Sequence, residues 1–133
     1  MNDFFTEEQY KRLLSNGSPE NRDQDHAPVV MLTLPFTACV WLLSEIDPED
    51  PDIAFGLCDL GMGFPELGSV SISELQTVKN PVFKLPVIND PRFKAAYPMS
   101  AYAAAARDQQ EIVWDAEVVA RYASKTKPGG LTP

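Results

Sequence analysis

Four carboxylates fall within six residues of this chain and form its densest cluster of ionisable side chains. They are Asp47, Glu49, Asp50 and Asp52, and Glu45 lies just before them. Clustered carboxylates can ligate a cation, act as acid and base, or present negative charge to a basic partner. The cluster lacks the central glycine and the terminal glutamate of an EF-hand loop, which disfavours calcium. Two interpretations remain: a partner-binding surface of Glu45, Asp47, Glu49, Asp50 and Asp52, or a solvated turn in which Asp and Pro simply fit.

The charge distribution favours a basic protein as the partner. The net charge is −8, and residues 23–78 hold ten acids and no lysine or arginine. Residues 1–22 carry a net charge of −1, and residues 79–133 carry a net charge of +3. An acidic middle disfavours direct contact with nucleic-acid backbone and with anionic membrane. We therefore predict a protein partner with a basic surface, with no direct binding to nucleic acid or membrane.

Other chemistries have weak support from residue types and spacing. His26 is the only histidine, and Cys39 and Cys58 lack the paired spacing of a zinc site, so no metal and no cofactor are predicted. Both cysteines lie in apolar segments, where a thiol is usually buried and inert. Gly61 and Gly63 are interpreted as a loop that needs positive φ, because no helix follows as a dinucleotide fingerprint requires.

Two competing functions stay open. A small carboxylate-dependent enzyme would use Asp59, Glu66 and Glu74 as acid and base groups, which requires them to converge in one pocket. Direct nucleic-acid binding would use the basic C-terminal third, through Lys79, Lys84, Arg92 and Lys94, although the overall charge of −8 opposes it. We interpret three aromatic residues as packing in the core or in turns rather than as a ligand-binding site: Trp41, Phe55 and Phe64.

The start of the chain, Met1 to Gln9, has neither the basic region nor the apolar region of a signal peptide. No apolar run approaches the roughly 18 residues that a membrane-spanning helix needs. We therefore expect a cytoplasmic protein with reduced cysteines.

The elements that must position these residues begin with a helix. Thr6 and Gln9 stand at the positions of a capping box, with Phe5 and Tyr10 at those of a hydrophobic staple. Asn16-Gly17 ends the helix. Four strand-like segments follow after a polar loop: Val29–Leu34, Thr37–Ile46, Ile53–Leu60 and Glu66–Ile72. The turns between them are too short for parallel crossovers, so an antiparallel meander is predicted.

The second half of the chain is more helical. Serines at 71 and 73 each begin a capping-box pattern, which predicts a short helix over Ser73–Val78. Four prolines punctuate residues 80–98, where a short strand is expected at Val82–Val87. An alanine-rich helix runs from Pro98 to Gln110, and Ile112–Ala123 favours another helix. The predicted fold is α+β: a four-stranded antiparallel β-meander packed by an N-terminal helix and one or two C-terminal helices, over residues 1–124, with a flexible tail at 125–133.

The middle of the chain resembles a known bacterial family. The similarity is carried by five segments: Trp41–Asp47 (WLLSEID), Gly56–Asp59 (GLCD), Glu66–Leu75 (ELGSVSISEL), Leu85–Phe93 (LPVINDPRF) and Pro98–Ser100 (PMS). They resemble the domain-of-unknown-function family DUF2958 over roughly residues 4 to 106. The resemblance implies a small protein of plasmids and other mobile elements. The expected function is therefore an acidic accessory protein of a mobile genetic element, as an inhibitor of a host nucleic-acid-handling or defence complex of anti-restriction or anti-CRISPR type.

Overall fold

The computed structural model describes residues 4–126, with side chains up to residue 123. The elements in chain order are α1 (Glu7–Asn16), β1 (Val30–Thr33), β2 (Val40–Ile46), β3 (Ile53–Asp59), β4 (Glu66–Ser71), α2 (Ile72–Leu75), β5 (Ile88–Asn89), α3 (Met99–Gln109) and α4 (Ala116–Thr126). The predicted α+β class and the antiparallel meander of β1 to β4 are confirmed. Residues 125 and 126 of the predicted flexible tail, 125–133, form the end of α4. The rest of that tail lies outside the described residues.

The sheet has five strands rather than the four predicted, in the order β4-β3-β2-β1-β5. The fifth strand pairs antiparallel with β1, through Leu32 opposite Asn89. The strand expected at Val82–Val87 was wrong. That segment folds back on itself, because the Lys84 amide donates to the Asn80 carbonyl and the Asn80 amide donates to the Leu85 carbonyl. Lys84 also has a φ of 60°, which an extended strand does not allow.

The two faces of the sheet bury separate cores, because successive side chains of a strand point to opposite sides. One face packs against α3 and α4, and its core includes Met31, Leu42, Leu57, Tyr102 and Val119. The other face packs against α1 and α2, with Leu13, Leu32, Leu43, Ile46 and Ile72 in its core. The sheet is thus a middle layer between two helical layers, which explains the continuous apolar run of β2.

The capping box that the sequence predicts for α1 is present. The Thr6 hydroxyl accepts from the Gln9 amide at 3.1 Å, and the Gln9 side chain accepts from the Thr6 amide at 3.0 Å. Gly17 ends the helix against β2. A Cβ at Gly17 would come within 1.9 Å of the Ile46 carbonyl oxygen, so only glycine allows this close approach.

The later helices are held by side chains from distant loops. The Ser71 hydroxyl caps α2, which is shorter than predicted and begins one residue earlier. At α3, Pro98 supplies no side-chain cap, and the Asp25 carboxylate accepts instead from the amide and the hydroxyl of Ser100. The polar loop before β1 is thereby fixed to the start of α3. The helix expected over Ile112–Ala123 is present as α4, which begins at Ala116 rather than at Ile112.

Candidate functional site

The acidic turn between β2 and β3 is a tight structure rather than a loose loop. The Asp47 carboxylate accepts from the Glu49 amide at 2.9 Å, and the Asp47 carbonyl accepts from the Asp50 amide at 3.1 Å. The Ile53 amide in turn donates to the Asp50 carbonyl at 2.9 Å. This is the aspartate-turn geometry that the Asp-Pro composition favours. Asp47 therefore shapes the turn, and its carboxylate is already engaged by the backbone.

Asp52 is engaged by α2. Its Oδ2 accepts from the hydroxyls of Ser71 at 2.6 Å and Ser73 at 3.1 Å, and its Oδ1 accepts from the Ser73 amide at 2.8 Å. These hydrogen bonds to Ser71 and Ser73 stabilise the charged form and lower the pKa of Asp52. Both oxygens are directed at the start of α2, so Asp52 joins the turn to that helix.

Glu45 lies on the sheet, away from the tip of the turn. The pairing of β2 with β3 shifts between Leu43 and Glu45, which makes Ser44 an extra residue of a β-bulge. Glu45 is half-buried in a cleft of about 310 Å3 that is also lined by Arg22, Asp25, His26, Phe55 and Leu67. Partial burial raises the pKa of the Glu45 carboxyl, and nearby Asp23 adds to this, against the opposing charges of His26 and Arg22.

Glu49 and Asp50 remain as exposed acids at the tip of the turn. The structure thus places all five predicted residues at one end of the sheet but gives them different surroundings. Asp47 and Asp52 hold the turn and α2, Glu45 lines a cleft, and the tip pair faces solvent. No lysine or arginine occurs in β2, β3, β4 or α2, and the Arg22 side chain that lines the Glu45 cleft comes from the loop after α1.

The three carboxyls of the enzyme hypothesis lie apart. Asp59 is 2% exposed and accepts from the amides of Gly61 at 2.8 Å and Ile112 at 2.9 Å, on the α3/α4 side of the sheet. Glu66 is exposed and lines a groove on the other side. Glu74 belongs to α2, which follows the far end of β4, about 17 Å along the strand from Glu66. None of the main pockets of the described residues is lined by more than one of these three carboxyls.

The cysteines are free and half-buried beside the α1/α2 core. Burial raises the pKa of the Cys58 thiol to about 11, so it is protonated at neutral pH. The His26 ring pairs with the Asn21 carbonyl through Nε2 at 2.7 Å. Within residues 4–126, no group of three His, Cys, Asp or Glu side chains is arranged to hold a metal ion.

Arg92 and Lys94, two basic residues of the C-terminal third, lie in different surroundings. Arg92 binds the Asp90 carboxylate through Nε at 3.1 Å and Nη2 at 2.9 Å. These hydrogen bonds from Arg92 are the chief cause that lowers the pKa of the Asp90 carboxyl. Lys94 instead lines a cleft of about 560 Å3 beside α1. No helix among the described residues is long and apolar enough to cross a membrane.

A family model described as a protein of unknown function, DUF2958, matches residues 4–113. The chain belongs to the DUF2958 family. No curated protein and no solved structure shows significant similarity to it. The DUF2958 match spans α1 to α3 and ends before α4, which starts at Ala116. In this chain α4 completes the core under α3 with Val119 and Tyr122.

Sequence reasoning missed the exposed apolar side chains of this DUF2958 protein. Phe64, interpreted as turn packing, is 78% exposed, and Leu60 and Met62 are also exposed in the turn between β3 and β4. Trp41 is buried, as expected. A second exposed pair, Phe36 and Phe83, has ring centroids 5.1 Å apart near the Asn80 loop. The signal available in the sequence was apolar residues close to glycine or proline in turns, where no period assigns them to a core.

Proposed function

We propose that this protein is a protein-binding accessory protein that docks its acidic turn against a basic surface of a partner. The observation that carries the proposal is the exposure of Glu49 and Asp50 at the tip of a turn that Asp47 and Asp52 hold in shape. A pre-shaped turn loses little conformational entropy on binding. Complementary charge also raises the association rate and selects the partner.

Nucleic-acid-handling proteins have the surface chemistry that this turn complements, because their own substrate is a polyanion. The proposed biological role is inhibition of such a host protein, as an anti-restriction or anti-CRISPR factor carried by a mobile genetic element. The lack of lysine and arginine in β2, β3, β4 and α2 supports a role as a decoy for phosphate charge. The same acidity supports the expected absence of direct nucleic-acid binding.

The test compares two variants with the same change in net charge. Glu49→Lys/Asp50→Lys reverses the tip, and Glu20→Lys/Glu111→Lys reverses exposed acids outside the turn. The tagged wild-type protein is incubated with nuclease-treated bacterial lysate and eluted with salt. The captured protein is then purified, and its affinity for each variant is measured by calorimetry, together with its activity on DNA or RNA.

We expect the tip variant to lose binding and inhibition, with the melting temperature unchanged and the control variant still active. Asp47 and Asp52 are left intact because their replacement would distort the turn. Equal binding by the tip variant and the wild type would exclude the turn as the docking surface. Equal loss in both variants would indicate a general charge effect rather than a site.

A further inference from the structure

The outer edge of β4 is open in the part of the chain that the structure describes. β4 is a terminal strand of the sheet and pairs only with β3. Among the described residues, no backbone group of Leu67 or Ser69 bonds to a backbone group outside the sheet. An open edge is a template onto which another chain can add a strand.

The register shows which backbone groups face outward. The Ile72 amide donates to the Asp52 carbonyl, directly beside the facing pair Ile53 and Ser71. That pair is therefore of the non-hydrogen-bonded type, and the alternation of antiparallel ladders fixes the others. Val70, Gly68 and Glu66 exchange hydrogen bonds with β3. Leu67 and Ser69 direct their amides and carbonyls to the open side.

Apart from the charge of Glu66 at its start, β4 has none of the features that usually protect an edge strand. Edges are commonly protected by lysine, by proline, by a bulge or by a covering segment. The strand reads Glu-Leu-Gly-Ser-Val-Ser, and its register with β3 is continuous over all six residues. Leu67 is 44% exposed on one face of the strand. An open, regular and partly apolar edge is a hazard to a protein unless a partner uses it.

A groove runs beside the edge on the other face of β4. It has a volume of about 650 Å3, and its apolar lining includes Trp41, Leu60, Met62, Phe64 and Val70. A Cβ placed on Gly68 would meet no atom within 4 Å, so the middle of the groove is open. Strand addition combines backbone hydrogen bonds with pockets for alternate side chains, and the edge and the groove provide both.

We propose that β4 binds an extended segment of the partner by strand addition, and that this segment carries apolar residues at alternate positions beside lysine or arginine. The inference deepens the proposed function and rests on it for the class of partner. Charge complementarity selects a basic segment: Glu66 stands at one end of β4, and Asp52 and Glu74 stand at the other. The exposed apolar side chains Met62 and Phe64 supply the contacts for its alternate residues.

A second copy of this chain fits the edge poorly. Antiparallel pairing of two β4 strands would bring Glu66 of one copy to the C-terminal end of the other, where Asp52 is bound to Ser71. Like charges placed across a strand pair are destabilising. The net charge of −8 on each copy adds further repulsion.

The test uses a fluorescein-labelled peptide of alternating valine and threonine with two lysines at each end. The same peptide with glutamates in place of the lysines is the charge control. Binding to the full chain is followed by fluorescence anisotropy, and amide exchange is followed by NMR on the 15N-labelled protein. Ser69→Pro removes an outward amide and leaves the bonds to β3, and Ser69→Ala is its matched control. Leu67→Lys is a second variant, in case proline perturbs the strand.

We expect the basic peptide to bind and to protect the Leu67 and Ser69 amides from exchange. Ser69→Pro and Leu67→Lys should each weaken binding by about tenfold or more, since lost edge bonds and a new like charge both oppose the added strand. Ser69→Ala should bind as the wild type does, and the acidic peptide should not bind. Protection elsewhere, or a concentration-dependent dimer that pairs through β4, would overturn the proposal.

The two proposals can fail separately. A partner that needs Glu49 and Asp50 but binds Ser69→Pro and Leu67→Lys normally would remove strand addition and leave the acidic turn. Peptide binding at β4, joined with a captured partner that ignores the tip variant, would leave strand addition and remove the turn.

Discussion

Asp52 holds the start of α2 through Ser73, whose amide donates to Oδ1 at 2.8 Å and whose hydroxyl donates to Oδ2 at 3.1 Å. The acid of the turn is thus a structural link between β3 and α2. We expect Asp52→Asn to lower the melting temperature at pH 7, because an amide cannot accept at both positions. Asp50→Asn at the exposed tip is the control and should melt as the wild type does.

The pH dependence of that difference follows from the lowered pKa of Asp52. A carboxyl with a lower pKa in the folded state contributes stability above its unfolded pKa and loses it as the pH falls through the folded pKa. The gap between wild type and Asp52→Asn should therefore narrow from pH 5 to pH 2 in thermal unfolding. A gap that stays constant over this range would show that the charge of Asp52 is not what stabilises α2.

Glu45 should show the opposite pH dependence, because partial burial raises the pKa of its carboxyl. A raised folded pKa contributes stability that is fully present below the unfolded pKa and is lost as the pH rises through the folded pKa. We expect Glu45→Gln to melt higher than the wild type at pH 7 and equal to it near pH 3. Glu49→Gln is the exposed control, and a similar gain there would point to net charge rather than burial.

Asp59 should contribute to the stability of the fold rather than to catalysis. Replacement by alanine leaves the buried amides of Gly61 and Ile112 without their acceptor, which should cost about 3 kcal/mol in the free energy of unfolding. Glu66 is an exposed carboxylate of the enzyme hypothesis, so Glu66→Ala should change the free energy of unfolding by less than about 0.5 kcal/mol. Urea unfolding measures both. An unchanged stability of Asp59→Ala would reopen Asp59 as a functional group.

Cys58 should react slowly with thiol reagents, since burial raises its pKa to about 11. The Cys39→Ser variant isolates its signal. We expect alkylation by iodoacetamide, followed by mass spectrometry, to be slow at pH 8 and to rise steeply only toward pH 11. Complete unfolding in urea should restore the rate of an ordinary thiol. Rapid labelling of the folded protein at neutral pH would contradict the burial argument.

Local signals in the sequence predicted local structure well. The capping box of Thr6 and Gln9 and the positive φ of Gly61 and Gly63 both involve residues close in the chain. Apolar periodicity placed the four strands of the meander to within a few residues. The strand expected at Val82–Val87 was wrong, and the fifth strand lies at Ile88–Asn89, because its pairing with Leu32 and Thr33 of β1 is a contact between distant segments.

The candidate site shows the same difference between local features and contacts that join distant segments. Residue type and local spacing already show that carboxylates crowd the turn between β2 and β3 and that no lysine or arginine accompanies them over residues 23–78. Tertiary structure alone decided their separate roles, since the serines that bind Asp52 lie on another strand and helix, and the burial of Glu45 depends on a loop twenty residues earlier. Strand order likewise decided that β4 has an open edge. Hydrogen-bond partners and burial belong to contacts between distant segments, whereas residue type and local spacing belong to the chain.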